Sequence, residues 1–196
     1  MIQAGTRFAP SILSQMAKRQ EAGADDIWPV PDLFNIADMC CDRWAVAQPD
    51  RVALIDVRDD APPKYWTYAE LLRAATKLAH YFKSHHIVQG DRIAVLLPQG
   101  PEVLIAHFAA YRIGAIILPL FTLFGPDALA YRLRDSGAKL TIMDAGSVHK
   151  LAPILPNLPK LEQILVCGAD DKDTGKQEQI VSVRSFWKEL KHMPDA

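Results

Sequence analysis

From Arg51 onward, short apolar runs rich in β-branched residues alternate with longer segments of helical period. The pattern predicts strands over 51–57, 92–98, 115–121, 139–144 and 163–167, where apolar side chains are nearly continuous. Between them it predicts helices over 101–113 and 125–136, and a short one over 147–155. A further helix carries Leu71, Leu72, Ala75, Leu78, Ala79 and Phe82 on one side. It opens at Thr67, which stands three residues before Glu70, the spacing of a capping box. His85 and His86 end that helix, and the sequence assigns them to its carboxyl-terminal cap rather than to a metal. Ahead of the first strand, 35–47 has helical spacing; 59–64, with two prolines, reads as a turn. Strands alternating with helices imply an α/β fold, a mostly parallel sheet with helices on both faces.

Outside this core, residues 1–32 read as an amino-terminal arm, 33–168 as the α/β subdomain, and 169–196 as a linker and short helix. The polar stretch 170–179 is the linker and 183–191 the helix. The helix over 101–113 is unusual, because only His107 and Arg112 interrupt its apolar surface. A helix apolar all round is covered on every side. This one is either internal to the domain or expects a second layer of protein, from the rest of an enzyme or from another copy of the chain.

Composition narrows the function. The chain is 49% hydrophobic and 23% charged, with a formal charge of −1, the balance of a globular protein and not of a nucleic-acid binder. No apolar run reaches the roughly 18 residues of a membrane span, and the first residues lack a secretion-signal pattern. Cys40, Cys41 and Cys167 form no ligand spacing, which fits reduced thiols in the cytoplasm and no metal site.

The turn LLPQGPE, residues 96–102, follows a strand and opens a helix, the place of a phosphate loop in nucleotide-binding folds. Its chemistry is wrong for that task. Converging backbone N–H groups need several glycines, and this turn has one glycine, two prolines and no lysine. Glu102 also occupies the positive end of the helix dipole that a phosphate would use. Gly125-Pro126-Asp127 repeats the device, so both are helix starts.

Four stretches carry a family resemblance: WTYAEL at 66–71, GDRIAVLLP at 90–98, YRIGAIILPLF at 111–121 and FGPDALAYRL at 124–133. In this order and spacing they resemble the AMP-forming acyl-CoA synthetases of the adenylate-forming superfamily, near the acetyl-CoA and medium-chain fatty acyl-CoA synthetases. The likeness covers 33–168 and extends more loosely to SFWKEL at 185–190. It implies a parent reaction in which a carboxylate attacks the α-phosphate of Mg-ATP, giving an acyl-adenylate, and the thiol of coenzyme A then displaces AMP. The family's phosphate loop and catalytic lysine have no counterpart in these residues, so the resemblance implies an amino-terminal fragment, inactive alone and without catalytic residues of its own. ATP, Mg2+ and coenzyme A are then cofactors of the parent enzyme, none expected to bind this chain tightly, and a small carboxylic acid is its substrate. The resemblance also places Phe121, Thr122 and Leu123, where acetyl-CoA synthetases often carry glycine, along the channel for the pantetheine arm of coenzyme A. His149 and Lys150 fall where basic residues meet its nucleotide phosphates. Two alternatives stay open: a non-catalytic protein-binding or regulatory module that reuses this fold, and a small standalone nucleotide-binding enzyme, against which the unsuitable turn argues.

Overall fold

The computed structural model describes residues 33–59, 61–168 and 181–195. The arm over 1–32 and the linker over 170–179 lie outside the described residues. From Ile36 onward the described residues form one compact unit.

The first helix has a wide π turn, Asp38–Asp42, running into α1, Arg43–Ala47. Strand β1, Val52–Arg58, follows and pairs antiparallel with β2, Ala61–Thr67. Here the expected turn over 59–64 is corrected, because residues 61–64 are strand. Pro62 and Pro63 signalled a break, but they fall in a register shift between Asp56 and Arg58, at a sheet edge where a missing N–H breaks no ladder bond.

Helix α2, Tyr68–Ser84, opens on the expected capping box. Thr67 Oγ1 accepts the Glu70 amide at 3.2 Å, and Glu70 Oε2 accepts the Thr67 amide at 2.8 Å. At its other end the His85 ring lies 2.9 Å from the Tyr81 carbonyl, and His86 takes a left-handed φ of 58°. The histidines therefore do close the helix.

The main sheet contains β3 (Arg92–Leu96), β4 (Ile116–Pro119), β5 (Leu140–Asp144), β6 (Gln163–Cys167) and β7 (Ser182–Ser185). Their order is β4-β3-β5-β6-β7 and every pairing is parallel. Helices α3 (Pro101–Arg112), α4 (Pro126–Ser136) and α5 (Phe186–His192) complete the unit, with 3-10 turns at Ala145–Lys150 and Leu155–Asn157 in place of the short helix expected over 147–155. A second correction falls on 183–191. Ser182–Ser185 is an edge strand, and the helix begins only at Phe186. Four residues are too few for periodicity to register against the helical pattern that follows.

Side chains alternate across the sheet. Ile93, Val95, Leu140, Ile142 and Leu165 face a core shared with α2, α3 and α5, while Ala94, Leu96, Met143, Ile164 and Val166 face α4 and the 3-10 turns. No residue of α3 is fully exposed. Ile105, Ala106, Ala109 and Ala110 are buried, and Val103, Leu104 and Phe108 pack at the margin of the same core. Helix α2, laid along α3, supplies much of the cover that its apolar surface demands.

Candidate functional site

Because the main sheet is parallel, the carboxyl ends of its strands share one edge. The chain leaves β3 for β4 on one side and returns to β5 on the other, so the direction of winding reverses between β3 and β5. A crevice opens at such a reversal, outside the strand ends, and this is where open α/β sheets hold ligands.

The turn after β3 does not form a phosphate cradle. Gly100 caps α3 with extended backbone and Pro101 takes the first helical position. Glu102 Oε1 accepts the indole N–H of Trp187 at 3.1 Å, so a carboxylate already sits at this helix start. Among the described residues no group of three His, Cys, Asp or Glu side chains stands close enough to hold a metal ion, and no helix is long and apolar enough to cross a membrane.

The turn after β4 meets the 3-10 turn after β5. Lys150, last residue of Ala145–Lys150, donates from Nζ to the Thr122 carbonyl. Thr122 lies in a tight turn closed by the Phe124 amide on the Phe121 carbonyl, at 3.0 Å. Phe121 and Leu123 flank it with 65% and 83% of their surface exposed. Phe124 turns inward against the core, its ring centroid 6.3 Å from that of Phe121 and 4.2 Å from the Arg132 guanidinium. The structure thus joins Thr122 to Lys150 and sets Phe121 and Leu123 to either side. His149 is exposed on the 3-10 turn.

On the other side of the edge is a groove of about 330 Å³ between the β1–β2 hairpin, the start of α3 and α5, lined by Arg58, Lys64, Trp66, Glu102 and Trp187 among others. The rings of Trp66 and Trp187 stack with centroids 6.1 Å apart, and Lys64 Nζ lies 4.3 Å from the Trp66 centroid. Sequence reasoning missed this group. Its two tryptophans stood in motifs marked by the resemblance, but nothing local signals that WTYAEL and SFWKEL meet.

Asp144 and Cys167 are partners in register at the ends of β5 and β6. Asp144 Oδ2 is buried without a hydrogen-bond partner, and a Cβ on Gly146 would stand 3.0 Å from Oδ1, a tight contact for the Asp144 side chain. Burial pushes the Cys167 thiol well above its ordinary range, and the nearby charges of Glu102 and Asp144 push the same way. A thiol so held stays protonated and is a poor nucleophile.

Residues 41–195 match the family described as AMP-binding enzyme. The chain belongs to that family. Among curated relatives, acetyl-coenzyme A synthetase of Penicillium chrysogenum is 35% identical over 173 residues, covering 83% of this chain and 25% of the relative. Acetyl-coenzyme A synthetase 2 of Candida glabrata is 39% identical over 119 residues, covering 60% of this chain and 17% of the relative. The chain therefore spans a quarter or less of the length of these relatives. A crystal structure of an anthranilate CoA ligase in complex with anthranoyl-AMP superposes with a TM-score of 0.69 at 24% identity, over 85% of this chain and 30% of that one. The α/β fold is thus shared with the matched part of that ligase.

Proposed function

We propose that this chain is the amino-terminal portion of an AMP-forming acyl-CoA synthetase, where it supplies the parallel-sheet platform and one wall of the coenzyme A channel. The parent enzyme would join a small carboxylic acid to coenzyme A through ATP, in the cytoplasm. The observation that carries the reading is the Lys150–Thr122 hydrogen bond, which unites the two turns that the family resemblance assigns to coenzyme A.

The residues fit that ligand in part. Phe121 and Leu123 offer exposed apolar surface for a pantetheine arm, and His149 and Lys150 offer donors where phosphates would approach. When bound, coenzyme A supplies the thiol, and these side chains only hold and orient it. They do not fit ATP. The β3–α3 turn presents prolines and a carboxylate where phosphates need converging N–H groups, so no adenylation step is assigned to these residues.

A nuclear magnetic resonance titration of the 196-residue chain with millimolar coenzyme A tests the reading. Shifts should cluster at Phe121–Leu123 and at His149 and Lys150. Pyrophosphate release with ATP, magnesium and short carboxylic acids should stay at background. Shifts confined to other surfaces, or none at saturating ligand, would overturn the channel assignment. Acid-dependent pyrophosphate release would overturn the assignment of adenylation to other parts of the enzyme.

A further inference from the structure

We propose that Lys150 is a positioning residue, whose ammonium straps down the tip of the β4–α4 turn before any ligand arrives. The inference rests on the channel reading for its purpose but not for its geometry.

The turn has two anchors in the core. At its start Leu120 is buried, and its amide donates to the Val95 carbonyl at 2.8 Å, extending the sheet. At its end Phe124 packs on the core beneath the Arg132 guanidinium. Between them the tip, Phe121–Leu123, stands away from the sheet with two large apolar side chains exposed to water. Exposed apolar side chains on a short tip gain by collapsing onto the surface beneath them, and such a collapse would close the wall that they form. Lys150 opposes this. Its Nζ holds the Thr122 carbonyl at the middle of the tip, and its half-buried stem rises from a 3-10 turn that follows β5 directly. A charged donor on a carbonyl is the stronger kind of hydrogen bond, and this one joins two neighbouring loops. The same ammonium thus gives one of its three donors to the protein. A phosphate arriving here meets a lysine already used as a strap.

The test separates strap from phosphate ligand by working first without ligand. Lys150→Met keeps the stem and removes the ammonium. Amide hydrogen exchange at Phe124, whose N–H closes the turn, should rise about ten- to hundred-fold, the factor set by losing one charge-assisted hydrogen bond. Exchange at Leu120 should stay unchanged, and Lys150→Arg should restore most of the protection at Phe124. Unaltered exchange at Phe124 in the methionine variant would overturn the proposal, even if coenzyme A no longer shifts the site; that pair of results would make Lys150 a phosphate ligand and leave the channel reading intact. Faster exchange throughout β4 and β5 would also overturn it, by showing a general role in the fold. Faster exchange at Phe124 alone, with no response to coenzyme A in the wild type, would uphold the strap and sink the channel.

Discussion

Replacing Glu102 by alanine removes two things at once. The side chain accepts the Trp187 indole N–H at 3.1 Å, and its charge lies in the first turn of α3. A hydrogen bond to an ionised carboxylate contributes about 1.5–3 kcal/mol net. A negative charge at a helix start adds about 0.3–1 kcal/mol. The loss for Glu102→Ala is then about 2–4 kcal/mol, or about 4–16 °C in melting temperature for a chain of this size. Glu102→Gln keeps an acceptor oxygen and loses the charge, so it should fall by less than the alanine variant. Urea unfolding followed by the summed fluorescence of the four tryptophans gives both values. If the alanine variant is as stable as the wild type, the account of this helix start is wrong. If alanine and glutamine cost the same, the Trp187 contact contributes nothing. A new affinity for pyrophosphate in the alanine variant would show that the carboxylate had masked an anion site, against the argument from the two prolines.

Thr67→Ala should cost about 1 kcal/mol by opening the capping box of α2, measured by the same unfolding assay. Asp91 should control the acid limb of stability. Burial by itself would raise its carboxyl, but the Lys139 ammonium at 2.8 Å, the Val88 amide at 2.9 Å and the charges of Lys139 and Arg92 outweigh it and hold the group below its ordinary 3.8. The stabilisation is therefore complete above about pH 4 and is lost as pH falls through the depressed value, so Asp91→Asn should flatten the decline in denaturation midpoint measured between about pH 4 and 2. Thiol labelling at neutral pH should modify Cys40 rapidly, because it is exposed, and leave Cys41 and Cys167 unreacted until the chain unfolds. Burial, reinforced by the Asp42 charge, pushes the Cys41 thiol up to about 12, and burial is also the main cause at Cys167.

The sequence made the sheet legible because each central strand is buried on both faces, and such strands announce themselves as continuous apolar runs. Val95 pairs with Ile142 and Pro119, both parallel, the strand direction that the alternation implied. The edges were less legible. In β2, Pro62 and Pro63 carry the signature of a turn, and only the partner strand reveals that they sit in a bulge. In β7, four residues join the sheet through contacts with β6, which no local pattern encodes. The two sides of the site divide the same way. Thr122 and Lys150 were singled out by the family resemblance, which points to the turns after two recognisable strands, whereas the Trp66–Trp187 stack joins distant stretches through packing alone.

The place of β7 and α5 has a consequence for the order in which the fold is made. Phe186 and Leu190 fill the same core as Leu71, Ile105 and Leu165, yet they come from near the end of these residues. As the chain emerges from the ribosome, the four-stranded array β4-β3-β5-β6 can pair while one face still lacks its last apolar side chains. Until Phe186 emerges, α2 and α3 guard an unfinished core, and the free edge of β6 is an unpaired strand in water. A ribosome stalled short of that residue would hold out a sheet edge ready to pair with the wrong neighbour.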